Sequence, residues 1–317
     1  MNHLDNLGNN FNISLPKDED GYLGRECPIT DCKGYFKITP GTGLSDIADC
    51  YCPYCGHTAD NDEFHTQEQI EYAESIVIRE VTDAFTKDLK SLEFDYKPRG
   101  ALGIGFSMKV DPGPRHPIHY YREETLETHI ECSNCTLKYA VYGVFAYCPD
   151  CGQHNSLQML NKNFNLIIKI LELAAESDGE LEKQLIEDAL ENCISAFDGF
   201  GREVCNIYSD KSANVEKAIK IRFQNLKDAQ IKVQKQFNVD ITQGLSNDEW
   251  ESTVKGFQKR HLLAHKMGVI DREYIDKTAD AEAVVGRMIK IERDEIKEII
   301  KVLRKLSSNL FEQLNQL

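Results

Sequence analysis

Eight cysteines in two sets, and one short run of arginine and histidine, are the residues whose types and spacing point to chemistry. The first set is Cys27 and Cys32 followed by Cys52 and Cys55; the second is Cys132 and Cys135 followed by Cys148 and Cys151. Thiolate pairs a few residues apart in tight turns converge on one tetrahedral Zn²⁺. The Cys52-Pro53-Tyr54-Cys55-Gly56 run is a knuckle: glycine after the second ligand allows the turn, and backbone amides point at the sulfurs. Cys148-Pro149-Asp150-Cys151-Gly152 closes the second set. Cys50 is a spare thiol that takes the place of Cys52 if the turn runs differently. Four thiolates leave no open position for water, so two structural zinc ions per chain are expected, and neither His57 nor His154 is needed as a ligand.

The second candidate is Lys259-Arg260-His261-Leu262-Leu263-Ala264-His265-Lys266-Met267-Gly268-Val269-Ile270-Asp271. A helical pattern leads into it, with Trp250, Val254, Phe257, Leu262 and Leu263 on one broad apolar side. Ser246 is the expected N-cap, with Glu249 completing a capping box. Gly268 is expected at the left-handed C′ position. That leaves His265 in the last turn, where the negative end of the helix dipole favours imidazolium. Arg260 lies about one and a half turns earlier and reaches toward the same end. Arginine for phosphate and histidine for protons are what metal-free RNA cleavage requires. On composition alone, a polar helix end with Arg260 and the histidines solvated is the reading to prefer.

This stretch resembles the HEPN superfamily. Arg260, four residues, then His265 is similar to its Arg-x4–6-His motif. The polar His261 directly after the arginine fits the pattern, as does Gly268-Val269-Ile270-Asp271 followed by Tyr274. The resemblance covers about half the chain, from near residue 160 to the end. It implies a compact all-helical domain, a homodimer through that domain, and metal-independent endoribonuclease activity. It also implies roles: the RNA 2′-hydroxyl as nucleophile, His265 as general base or acid, Arg260 on the scissile phosphate, and His261 in support. The family pairs such residues across a two-fold axis, so one cleft uses both chains. An acidic residue of another helix, Asp198 or Glu203 for example, is left open as the group that orients the histidine.

Composition bounds these readings. A chain of 317 residues accommodates two or three domains. Met1 to Asn12 is polar and lacks the apolar core of a signal peptide, and no run reaches the length of a membrane span. Eleven cysteines clustered as pairs then indicate metal in a reducing cytoplasm rather than a disulfide scaffold. Residues 1–155 carry 13 Lys and Arg against 25 Asp and Glu; residues 156–317 carry 24 against 27. An acidic N-terminal half repels phosphates, so RNA contact there needs a local patch.

The expected fold class is multidomain α+β: an N-terminal zinc-ribbon-containing α/β region and a C-terminal all-α HEPN-like helical bundle. Residues 1–20, rich in Asn and Asp, are expected to be disordered. A first zinc-ribbon-like module follows over 21–64, and an amphipathic helix over 65–100, starting at Thr66 with Ile70, Ile76, Val77, Val81, Ala84, Phe85 and Leu89 near one face. Strands and a second zinc ribbon are expected over 101–157. There 102–110 alternates as a strand, and Arg115 to Arg122 reads as its partner or as a basic, aromatic strip for nucleic acid.

Over 158–317 helical periodicity takes over. Its elements are a stripe from Leu181 to Phe197 ending near Gly199-Phe200-Gly201, a helix through Val215, Ile219, Phe223 and Leu226, the motif helix, and a long helix from Val284 to Leu314. Cys193 and Cys205 are expected as buried thiols.

Three functions fit. One is a metal-independent endoribonuclease, a toxin or phage-defence effector whose ribbons recognise substrate or an inhibitory or activating protein. Another is a non-catalytic module binding nucleic acid or protein. The third is a metallohydrolase on His261 and His265, which lacks the glutamate of a His-Glu-x-x-His motif and any evident third ligand.

Overall fold

In the computed structural model, residues 3–8, 10–45, 47–96 and 106–317 are described. The chain is mixed α+β and divides into two compact units, Met1–His154 and Asn155–Leu317.

The first unit is built on hairpins. Strands β1 (Leu23–Glu26) and β2 (Tyr35–Ile38) form one, β3 (Asp49–Tyr51) and β4 (Thr58–Asp60) a second, and β7 (Thr128–Glu131) and β8 (Lys138–Val141) a third. β2 pairs antiparallel with β8, with Lys37 opposite Ala140 and Ile38 opposite Tyr139, so one sheet runs β1-β2-β8-β7. Phe36, Phe64, Leu137, Tyr139 and Val141 pack among the cysteines as its core.

Helix α1 (Gln67–Lys90) starts where the sequence indicates. The Thr66 hydroxyl accepts from the Gln69 amide, and Gln69 reciprocates in a capping box. The residues before β1 are not without structure. The amides of His3 and Leu4 donate to the Asp88 carboxylate at 3.0 and 3.1 Å, and Ile13 and Leu15 line a groove with α1.

Two strand readings change. The alternating 102–110 run contributes β6 (Phe106–Met108), and its residues 102–105 lie outside the described residues. Its partner is β5 (Phe94–Tyr96), not Arg115–Arg122. The latter segment has no strand pairing and runs beside α1: the His119 amide donates to Ser75 at 3.1 Å, and Arg115 pairs with Asp83 at 3.3 Å. Side-chain anchors on a helix replaced the ladder that its alternation suggested.

The second unit is helical. Its helices are α2 (Ser156–Glu176), α3 (Gly179–Ile207), α4 (Val215–Ala218), α5 (Leu226–Phe237), α6 (Asn247–Lys266), α7 (Arg272–Thr278) and α8 (Arg293–Asn315). Leu171, Ile194, Phe197, Phe257, Leu303 and Leu310 share one core.

Three boundaries differ from expectation. Helix α3 does not stop at Gly199-Phe200-Gly201. A Cβ on Gly201 would lie 2.4 Å from the Phe223 ring, so this glycine serves close packing inside the helix. The helix expected through Val215 to Leu226 breaks after Ala218, and the Phe223 amide donates to buried Asp198 at 2.6 Å. The last helix begins at Arg293 rather than Val284, because Gly286 to Ile289 bond across to Gly268 and Ile270. Cys193 and Cys205 are fully buried, and burial pushes the Cys205 thiol up to about 12.

Candidate functional site

Each cysteine set gathers at hairpin ends. Cys27 follows β1 and Cys32 precedes β2; Cys52 and Cys55 sit in the β3–β4 turn. Cys132 and Cys135 occupy the β7–β8 turn, and Cys148 and Cys151 the turn closed by a bridge between Tyr147 and His154. Within each set the four sulfurs lie within 4.8 Å of one another. Cys50 is buried outside the first set, its thiol pushed up to about 12 by burial. His154 is buried with its ring edge-on to Tyr147 at 4.8 Å, and burial lowers its pKa to about 4.

The donors fit a divalent metal. Burial pushes the Cys27 thiol up to about 11. In the second set a hydrogen bond from Cys148 holds Cys132 down to about 4, while its own pKa is driven up. Thiolates this close repel one another unless a cation neutralises them. Four soft thiolates within 4.8 Å of one another suit Zn²⁺. Elemental analysis of protein purified without chelator is expected to give two zinc ions per chain. A value of one or none contradicts this assignment.

The two sets form one assembly, which the sequence analysis missed. The signal was the repeat Tyr51-Cys52-Pro53-Tyr54-Cys55-Gly56 and Tyr147-Cys148-Pro149-Asp150-Cys151-Gly152. The Tyr51 amide donates to the Pro149 carbonyl and the Tyr147 amide to the Pro53 carbonyl, both at 2.8 Å. A Cβ on Gly152 (φ +65°) would meet the Tyr51 ring at 2.8 Å, and one on Gly56 (φ +70°) the Tyr147 ring at 3.3 Å. With β2 antiparallel to β8, the ribbons are two halves of an approximate two-fold. The Tyr54 hydroxyl also links the hairpins: it donates to the Tyr35 carbonyl at 2.6 Å and accepts from the Tyr142 amide at 3.0 Å.

The other candidate ends α6. Ser246 and Glu249 form the expected capping box. At the far end Met267 is the C-cap, itself left-handed at φ 53°, and Gly268 occupies the expected left-handed C′ position. Gly268 has φ 76°, and the amides of Met267 and Gly268 both donate to the Leu262 carbonyl, the second at 3.0 Å.

His261 and His265 are both exposed, one turn apart, with ring centroids 4.7 Å apart. Arg260 is half-buried, and its Nε has no hydrogen-bond partner among the described residues. The pKa of His261 is lowered, first by burial, then by His265 and Lys277; Glu273 and Asp271 oppose the shift. Glu273 and Lys277 of α7 were not singled out in the sequence. Asp198 is buried; one carboxylate oxygen accepts the Phe223 amide at 2.6 Å and the other lies 4.0 Å from Arg202. Among the described residues no third ligand gathers with His261 and His265.

A small core of Leu262, Ile270, Tyr274 and Ile289 seats α7 and the segment before α8 at the C-terminal end of α6. Lys259, 7% exposed, pins the same corner. Its Nζ donates to the Lys290 carbonyl at 2.8 Å and Glu295 Oε2 at 2.6 Å. Lys259→Ala strips the partly buried Glu295 carboxylate and the Lys290 carbonyl of their donor and is expected to cost about 1–3 kcal/mol. Chemical denaturation of the wild type and variant measures this.

No family model matches this chain, and no curated protein or solved structure matches it. No described helix is long and apolar enough to cross a membrane.

Proposed function

We propose that this protein is a metal-independent endoribonuclease of HEPN type, acting as a homodimer through its helical unit, with two structural zinc ribbons that recognise substrate or a regulatory protein. The supporting observation is the exposed histidine pair in the last turns of α6, beside a half-buried arginine with an unpartnered Nε. Arg260 binds the scissile phosphate and stabilises charge developing on its oxygens. His265 moves the proton of the 2′-hydroxyl or of the leaving 5′-oxygen. His261, its pKa lowered first by burial and then by its neighbours His265 and Lys277, accepts a hydrogen bond from substrate or assists proton transfer by His265. A toxin or phage-defence effector in the cytoplasm, held by an inhibitory or activating protein, is the setting this reading suggests.

The test is incubation of the purified protein with total RNA, with and without EDTA. Cleavage that persists in EDTA is the expected result. Cleavage only with added metal assigns His261 and His265 to a metallohydrolase. No cleavage of any RNA assigns the helical unit to a binding module.

A further inference from the structure

We propose that the exposed stripe of α1 docks a basic amphipathic helix of a partner protein. Helix α1 spans 24 residues, about 36 Å. Its apolar positions lie near one face in the sequence, yet exposure is 42% at Ile70, 45% at Ile78, 38% at Val81 and 50% at Phe85. At 100° per residue these four share one sector about 100° wide with Glu71 and Glu74. Gln69, Ser75 and Ala84 are buried outside the sector, so the helix is seated on its own unit; Asp88, in line with Ile70, accepts the His3 and Leu4 amides, and the sector is left over from Ile70 to Phe85. Contiguous apolar surface of this kind on a folded chain marks an interaction site.

The sector has a shaped receptor at one end. Ile13 and Leu15 face Ile70, Ala73 and Val77 across a groove of about 720 Å³, with Glu74 in its lining. Apolar knobs spaced one turn apart on a partner helix fit such a groove.

Charge selects the partner. No lysine or arginine lies in the sector: Arg79, Lys87 and Lys90 project at least about 80° away from it. Exposed Glu71 and Glu74 stand beside the groove, in a half-chain with 13 cations against 25 anions. Phosphate backbones and anionic membranes are repelled by that field. A second copy of α1 brings apolar residues but no cation, and leaves the carboxylates desolvated and unpaired. A helix with leucine-like knobs flanked by lysine or arginine fills the groove and pairs both glutamates.

The test uses the full-length protein and a fluorescein-labelled peptide of leucine and lysine, about 18 residues long, with leucines at i, i+3, i+4 and i+7. A scrambled peptide of the same composition is the control for net charge. Fluorescence anisotropy is expected to show the patterned peptide binding at least about tenfold tighter than the scrambled one. The Ile78→Ser/Val81→Ser variant is expected to lose that preference, and Glu71→Gln/Glu74→Gln to weaken it. All four positions are exposed, and circular dichroism verifies the variants' fold. Equal binding of the two peptides, no binding of either, or an unaffected serine variant overturns the proposal. So does a wild-type dimer that the serine variant converts to monomer in sedimentation, because a second copy then covers the stripe.

Discussion

Arg260→Ala and His265→Ala are each expected to abolish RNA cleavage while the helical unit stays folded. Loss of a phosphate clamp or a proton-transfer group costs on the order of a hundredfold or more in rate. The structural cost is small for His265, which is exposed, and modest for half-buried Arg260, whose Nε gives up no hydrogen bond among the described residues. His261→Ala is expected to lower activity less, in keeping with its supporting role. The readout is the rate on a defined RNA, with melting temperature and sedimentation as controls for fold and dimer. Mixing Arg260→Ala chains with His265→Ala chains then tests whether one cleft draws on both chains; partial recovery locates the residues. Full activity of His265→Ala, in a preparation whose wild type cleaves RNA, ends the nuclease proposal.

The caps of α6 and α1 were legible because capping is local: Ser246 with Glu249, and Thr66 with Gln69, each act across three residues. The cysteine sets were legible because thiolate spacing in tight turns is itself a geometric statement. Periodicity failed where a distant contact decided the outcome. Phe223 was counted into a helix, but its ring lies against Gly201 and its amide donates to Asp198. Arg115 to Arg122 alternates like a strand and is held instead by Ser75 and Asp83 of α1. Val284 to Leu314 reads as one helix, yet the Ile289 amide donates to Gly268 at 2.8 Å and pulls the start back. At the helix-end site the two histidines were visible from their four-residue spacing. Glu273 and Lys277 were not, because only the turn of α7 onto α6 brings them near His261.

Cys148→Ser is expected to release both metal ions, not one, and to unfold the N-terminal unit while the C-terminal helices remain. Structural zinc contributes on the order of 10 kcal/mol or more to folding, as much as the whole stability of a typical domain. Losing one thiolate from a tetrahedral set therefore removes most of what holds its ribbon folded. The loss then spreads through the approximate two-fold. Pro149, next to the substituted residue, accepts the Tyr51 amide beside Cys52, and the Tyr147 amide on its other side donates to Pro53. When the 148–151 turn comes apart, both bonds break, and the first ribbon's turn loses the surface that orders it. The sheet fails with it, because β2 and β8 pair across the same two-fold. The helical unit keeps its own core of Phe197, Phe257, Leu303 and Leu310, which contains no metal ligand, so its far-UV circular dichroism should persist. Metal content by elemental analysis and limited proteolysis of residues 1–154 read the two outcomes. Cys27→Ser, on the opposite half, is expected to give the same double loss. One tightly held ion in a protease-resistant N-terminal unit would show that the ribbons bind metal independently and that the reciprocal bonds carry no coupling.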